Sequence, residues 1–204
     1  MARPWYGTLA VLTTFALVSQ LWLVIDRDGS VVNYWSYFTV ESNLLVCLTS
    51  WLLVLRSDRG GALFGVVRLA ALVGITVTGI VYATVLAGQN DLDGLDLVND
   101  VLFHYVSPAL SVLGFFLVRP RARFGPSPWW FLVWPFGWLG YTLVRAEVAE
   151  PVYRLTATAN APVPYGFLDV GEHGGWSVAG ACVVVAVVAI GLAALYVQLG
   201  RRAD

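Results

Sequence analysis

Six apolar stretches, each long enough to cross a lipid bilayer, set the fold of this chain. They lie at residues 5–25, 34–55, 66–87, 101–118, 129–144 and 176–199. A membrane-spanning helix needs roughly 20 apolar residues, because the hydrocarbon core is about 30 Å thick. Charged residues make up 12% of the chain, which is about half their share in a soluble domain. The sequence therefore predicts an all-α integral membrane protein, in which residues 1–204 form a single bundle of six transmembrane helices.

The arginines predict how this bundle is oriented, since the chain contains no lysine. Only Arg27, Arg145 and Arg154 lie at one set of alternate span ends. The other set carries Arg3, Arg56, Arg59, Arg68, Arg119, Arg121, Arg123, Arg201 and Arg202. The positive-inside rule then predicts a multi-pass protein of the cell membrane with both termini in the cytoplasm. The first span is too long for the apolar region of a signal peptide, so we expect it to be a retained anchor.

The connection at residues 145–175 is too long for a simple turn. It carries three prolines, together with the apolar side chains of Tyr165, Phe167 and Leu168. Structureless loops of this length are uncommon in compact proteins unless they are functional. We therefore expect this segment to fold back as a lid over the external end of the bundle.

Two polar side chains are predicted to lie at the same depth in the outer leaflet. Thr39 lies about five residues inside the second predicted span, and His104 about four to five residues inside the fourth. Both spans are predicted to enter from the external side. Polar groups in hydrocarbon are costly unless they are paired or used, so their shared depth indicates a site. A threonine hydroxyl needs an adjacent base to act as a nucleophile, and His104 can supply it.

Other polar residues share the helix faces of this pair or are predicted to lie at the same end of the bundle. Asp100 precedes His104 by one turn and is predicted to orient the imidazole, as the third member of a catalytic triad does. Arg145 is predicted to hold a free carboxylate of the substrate. Backbone N–H groups inside a helix are already bonded, so an oxyanion is expected to need side-chain donors. The candidate donors are Asn43, Ser42, Ser107, Tyr82 and Tyr165.

Three short phrases resemble the androgen-induced membrane protein family. They are Tyr37-Phe38-Thr39, Leu102-Phe103-His104-x-x-x-Pro108 and Pro164-Tyr165-Gly166-Phe167-Leu168-Asp169, in the same order and spacing over most of the chain. The resemblance implies an intramembrane hydrolase of fatty acid esters of hydroxy fatty acids, in which Thr39 and His104 are the catalytic pair. Gly166 departs from the family, whose members commonly have proline there, and this bears on the lid rather than on the pair.

Alternative interpretations remain open at the level of sequence. The polar stripe can instead line the cavity of a non-enzymatic lipid-binding protein or small transporter. A b-haem carrier normally needs facing histidines, and the chain has only His104 and the loop residue His173. Glu41 points away from Thr39, and its carboxyl is expected either to pair with an arginine or to be protonated. We expect a membrane lipid as substrate, with no cofactor, metal or nucleic acid; the sequence sets no oligomeric state.

Overall fold

The computed structural model describes residues 2–89, 91–119, 122–156 and 158–201. Arg121 and Arg202, which contributed to the predicted orientation, lie outside these residues. The fold is 78% helical, with almost no strand. Its α-helices are α1 (Ala2–Asp26), α2 (Val31–Trp35), α3 (Phe38–Leu55), α4 (Ala62–Val81), α5 (Gly94–Val101), α6 (Ser107–Leu117), α7 (Val133–Ala149), α8 (Val170–His173) and α9 (Gly175–Arg201). Two short strands, β1 (Tyr153–Arg154) and β2 (Asn160–Ala161), pair antiparallel.

Five helical segments of the described chain are long and apolar enough to cross a membrane. They are Ala2–Asp26, Phe38–Leu55, Ala62–Leu86, Gly94–Leu117 and Gly175–Arg201. These segments make the fold that of an all-α membrane protein. The fifth predicted span, 129–144, is also helical, but it is divided into a 3₁₀ turn (Pro128–Leu132) and the 17-residue α7. Pro135 lies in the first turn of α7, where its missing N–H removes no helical hydrogen bond.

The second predicted span does not begin as a continuous helix at residue 34. Ser30 caps the short α2 by accepting the Asn33 N–H, and the chain then breaks before α3. Tyr37 is extended, with φ −74° and ψ 129°, and is the N-cap of α3. Thr39 is therefore the second residue of α3, not the fifth or sixth of a longer helix. This matters because the first backbone N–H groups of a helix have no partner within it.

His104 lies in a π-helical turn, Leu102–Val106, that joins α5 to α6. The helix begins at Gly94, earlier than the predicted residue 101, and the Ser107 N–H donates to the Leu102 carbonyl. Pro108 explains the wider turn, because a proline cannot donate to the carbonyl four residues before it and its ring would clash there. A second π-helical turn, Tyr82–Leu86, extends α4 alongside.

Close approach of α4 to α6 brings the two π-helical turns together. A Cβ added at Gly79 would lie 3.0 Å from the Pro108 Cβ, so a side chain there would separate the helices. Asn99, which is fully buried, ties α5 to α1: its Oδ1 accepts from Ser19 at 2.7 Å and its Nδ2 donates to Gln20 at 2.9 Å. These contacts fix the positions of the neighbouring Asp100 and His104.

The lid comprises residues 150–174, because α7 continues to Ala149 and takes up the first part of the predicted 145–175 segment. It contains the β1–β2 pair, a 3₁₀ turn at Gly166–Leu168 and α8. Its buried side chains, which include Val163, Tyr165 and Leu168, pack against Tyr37, Phe38 and Trp138. The segment therefore covers one end of the bundle, which we call the lid end.

Candidate active site

Thr39 and His104 meet at the lid end, as the sequence predicts. The Thr39 Oγ1 lies 3.4 Å from the His104 Nε2. This is long for a hydrogen bond, although catalytic hydrogen bonds are often loose until substrate is bound. Thr39 is 8% exposed and the His104 side chain 14% exposed, so both are largely withdrawn from the surface. The first turn of α3 supplies the hydroxyl and the π-helical turn before α6 supplies the ring.

The His104 ring is held by Asp100 and Tyr82. The Asp100 Oδ1 lies 2.9 Å from the His104 Nδ1, and its Oδ2 accepts from the Tyr82 hydroxyl at 2.5 Å. The Tyr82 ring also stacks on the imidazole, with centroids 3.8 Å apart and planes 11° apart. The Asp100 backbone carbonyl also lies 3.0 Å from Nδ1. Both acceptors favour a proton on that nitrogen, which leaves the lone pair of Nε2 facing Thr39.

These contacts give Asp100 the position that the sequence predicts for it, and they change the interpretation of Tyr82. Because the Tyr82 hydroxyl donates to Asp100, it is not a free donor to an oxyanion. Its position instead orients the carboxylate and the imidazole together. Sequence reasoning placed Tyr82 near this end of the bundle but missed the stack, which depends on the close approach of α4 to α6.

Tyr165 contacts the nucleophile from the lid. Its hydroxyl oxygen accepts the Thr39 backbone N–H at 3.0 Å and lies 3.2 Å from the Thr39 Oγ1. Since the oxygen accepts the N–H, its own hydrogen is free for the Thr39 Oγ1 or for a bound substrate. Burial raises the pKa of Tyr165 to about 12, so this hydroxyl stays protonated at neutral pH.

The structure contradicts the premise of the expectation that only side chains can bind an oxyanion here. That expectation assumed Thr39 to lie inside a helix, where its N–H would already be bonded. In the structure the Thr39 N–H belongs to the first turn of α3 and donates to a side chain of the lid instead. Helix N-termini carry a partial positive charge, which favours a negative group at this position.

Two other predicted donors brace the helices and are not free for a substrate. The Asn43 Nδ2 donates to the carbonyls of Thr39 at 2.9 Å and Phe103 at 3.3 Å, which ties α3 to the π-helical turn that carries His104. The Ser42 Oγ donates to the Thr39 carbonyl and lies 2.9 Å from the Thr78 Oγ1 on α4. Ser107 is 3% exposed, and its hydroxyl has no hydrogen-bond partner among the described residues.

Arg145 is engaged in a clasp that holds the lid, not directed at the Thr39 pair. Its guanidinium donates to the Tyr153 hydroxyl at 2.5 Å and to the Asn33 Oδ1 at 2.7 Å. The Asn33 Nδ2 in turn donates to the Val152 carbonyl at 2.8 Å. These bonds join α7, α2 and β1. Arg145 is predicted from the sequence to hold a substrate carboxylate. In the structure its guanidinium instead bonds Tyr153 and Asn33.

An apolar cavity of about 360 Å³ begins at Thr39 and Tyr165. Helices α4, α7 and α9, together with the lid, supply its walls. Its polar end holds Thr39, Thr78 and Tyr165, and the rest of the lining is apolar apart from the Cys182 thiol and the indoles of Trp134 and Trp138. His104 and Asp100 are not among the residues that line it, so the imidazole reaches the cavity only through Thr39. Such a shape suits one long apolar chain with a single polar group near the nucleophile.

Trp134 forms part of this wall, and the sequence did not single it out. Its indole stacks on Phe38, with centroids 4.7 Å apart, and donates its N–H to the Glu41 Oε2 at 2.7 Å. It also packs closely against α4: a Cβ at Gly74 would meet the indole at 2.7 Å. Glu41 therefore bonds a tryptophan and not the arginine that the sequence suggested as a partner.

Potential metal ligands and thiols lie apart from one another in the described part of the chain. It contains no group of three or more His, Cys, Asp or Glu residues placed to hold a metal ion. Cys47 and Cys182 are free thiols, and His173 ends α8 as an exposed lid residue. Comparison of the chain with known protein families, curated proteins and solved structures gives no match. The function is therefore inferred from the geometry of the site and from the three short sequence motifs described above.

Proposed function

We propose that the protein is an intramembrane hydrolase of lipid esters, with Thr39 as nucleophile and His104 as general base. The carrying observation is the 3.4 Å approach of the Thr39 Oγ1 to the His104 Nε2, with Asp100 on the opposite ring nitrogen. Thr39 also lines the apolar cavity, together with Tyr165, and so would present its hydroxyl to an ester bound there. The three phrases that resemble the androgen-induced membrane protein family support fatty acid esters of hydroxy fatty acids as the substrate class.

In the proposed first step, the Thr39 Oγ1 attacks the ester carbonyl while the His104 Nε2 takes its proton. Asp100 stabilises the imidazolium that forms. The tetrahedral intermediate collapses to an acyl-threonine, and the alcohol leaves with the proton from His104. Water then attacks the acyl group with His104 again as base, which releases the fatty acid and restores the Thr39 hydroxyl.

The oxyanion of the tetrahedral intermediate would be stabilised by the Thr39 N–H and the Tyr165 O–H. The Tyr165 oxygen, 3.0 Å from the Thr39 nitrogen, marks a position where that N–H already binds an acceptor. A small shift of the lid would let a substrate oxygen take this position and accept from both groups. Preorganised donors of this kind each contribute roughly 10²- to 10³-fold to kcat in acyl transfer.

The proposal extends to the membrane. Six spans, including α7, would place both termini in the cytoplasm and the lid end in the outer leaflet of the cell membrane. The excess of arginine at the other end supports this orientation. An ester in the outer leaflet would then enter the cavity sideways, from between the helices.

The direct test is to incubate the purified protein with a fluorophosphonate and with a fatty acid ester of a hydroxy fatty acid. We expect the covalent adduct to map to Thr39. Thr39→Ala and His104→Ala should each abolish hydrolysis, and the double variant should be little worse, because residues that act as one unit are not additive. Thr39→Ser should keep part of the activity because it keeps the hydroxyl.

Two results would count against the hydrolase. One is an adduct on another residue together with full activity in Thr39→Ala. The other is saturable retention of a labelled lipid that is never turned over, which would favour a non-enzymatic lipid-binding protein or small transporter using the same cavity.

A further inference from the structure

Glu41 faces a second cavity, separate from the one that begins at Thr39. This groove, of about 330 Å³, lies at the lid end between α2, the first turn of α3 and α7. It is lined by Val31, Val32, Trp35, Ser36, Glu41 and Tyr141. Glu41 has no role in the proposed hydrolysis, and an acidic side chain within a membrane span is a candidate for function by default.

The Glu41 carboxylate is only partly engaged by the protein. Its Oε2 accepts the Trp134 N–H at 2.7 Å, whereas the structure gives Oε1 no hydrogen bond within the described chain. No described residue forms an ion pair with Glu41, and none of the residues that line the groove is cationic. In its ionised form this half-buried carboxylate would lack a counter-ion from the described residues, and a cation entering the groove would supply one and favour that form over the protonated one.

Two aromatic side chains line the same groove as this carboxylate. Trp35 and Tyr141 are 37% and 44% exposed and both line the groove. Tyr141 is fixed in place: the Ser36 Oγ donates to the Val32 carbonyl, so the Tyr141 hydroxyl donates to Ser36 across 2.8 Å. Aromatic rings beside a carboxylate are the usual means of binding an ammonium group, above all a quaternary one.

The position of the groove indicates which molecule supplies the ammonium. Because Asn33 of α2 bonds the lid, α2 lies at the end of the bundle, where the headgroup layer of the membrane would be. The apolar Val31 and Val32 line the groove on the α2 side. We propose that this groove binds the ammonium headgroup of a zwitterionic phospholipid, with Glu41 as its counter-ion. This site is distinct from the Thr39 cavity, and the proposal does not rest on hydrolase activity.

The test measures lipid retention in a Thr39→Ala background, so that no ester can be consumed. Purified protein is incubated with equal amounts of dioleoyl phosphatidylcholine and dioleoyl phosphatidylglycerol, and bound lipids are counted by native mass spectrometry. We expect one choline lipid to be retained with at least about threefold preference, given the strength of an ammonium bound by aromatic rings. Tetramethylammonium should displace this lipid, whereas it should not displace the phosphatidylglycerol.

Paired variants separate the groove from general effects on the fold. Glu41→Gln should remove the preference, and its amide oxygen can still accept the Trp134 N–H, so the wall of the larger cavity is kept. Trp35→Leu should weaken the preference. Glu147→Gln, which neutralises an exposed acid on α7, should leave it unchanged. Equal retention of the two lipids by the parent protein, or an unchanged preference in Glu41→Gln, would overturn the proposal.

Discussion

At the scale of single residues, the Tyr165 hydroxyl is the group whose removal best separates chemistry from packing. Tyr165→Phe keeps the buried ring and removes only the O–H that faces Thr39. We expect kcat to fall by about 10²- to 10³-fold, as for loss of one oxyanion donor, with little change in KM. Tyr153→Phe is the control, because it removes a lid hydroxyl that bonds Arg145 and not Thr39. An unchanged kcat in Tyr165→Phe would leave the Thr39 N–H as the sole donor.

The pH dependence of the proposed activity should reflect the protonation state of Tyr165. Its O–H donates only while protonated, and burial raises its pKa to about 12. The contribution of this hydroxyl is therefore complete at neutral pH and is lost only as the pH rises through about 12. A tyrosine with the ordinary pKa of about 10 would instead be half ionised at a pH of about 10. We expect the ratio of wild-type to Tyr165→Phe activity to stay constant from pH 7 to about 10.

At the scale of elements, the sequence predicts the helices better than their ends. The apolar runs suffice to predict the helices. The equal predicted depth of Thr39 and His104, together with the family resemblance, suffices to pair these two residues. The break before α3 leaves no such signal, because the run from Tyr34 to Val40 looks continuous. That break decides which backbone N–H groups have no partner within the helix, so the sequence did not predict that the Thr39 N–H would be bonded by a lid side chain. Contacts such as Glu41 to Trp134, 93 residues apart, depend on tertiary packing alone.

The contact between α4 and α7 gives a prediction about the length of the acyl chain that the proposed hydrolase prefers. In Gly74→Ala the new Cβ would lie 2.7 Å from the Trp134 ring, so the indole or the helix must shift. We expect this shift to disturb the bond from the indole to Glu41. We expect kcat/KM to change most for the longest acyl chains, and overpacking to lower stability by about 1–3 kcal/mol. Gly140→Ala on α7 is the control, since its Cβ would meet no atom within 4 Å. Both effects can be measured, the first with esters of increasing acyl chain length and the second with a thermal unfolding curve. An equal change in kcat/KM at all acyl lengths would show that Trp134 does not determine the preferred length.

At the scale of the whole molecule, the divided helix α7 decides whether the bundle has five spans or six. The 17 residues of α7 fall short of a full span alone, but the preceding 3₁₀ turn from Pro128 to Leu132 lengthens the segment. If this segment crosses the membrane, the lid and the loop between α4 and α5 lie on the same side. If it does not, residues on either side of it share one compartment, and the positive-inside argument for the C-terminus no longer holds.

Single cysteines in a Cys47→Ala, Cys182→Ala background distinguish these arrangements by labelling with an impermeant maleimide. Asp93, Glu150, Arg59 and Ser127 are all exposed, so each is suitable for replacement. We expect Asp93→Cys and Glu150→Cys to react in intact cells, because both flank the lid end. Arg59→Cys and Ser127→Cys should react only after the membrane is permeabilised. Labelling of Ser127→Cys and Glu150→Cys from the same side would show that α7 does not cross the membrane. Labelling of Asp93→Cys only after permeabilisation would show that the bundle has the opposite orientation, with the Thr39 site in the inner leaflet.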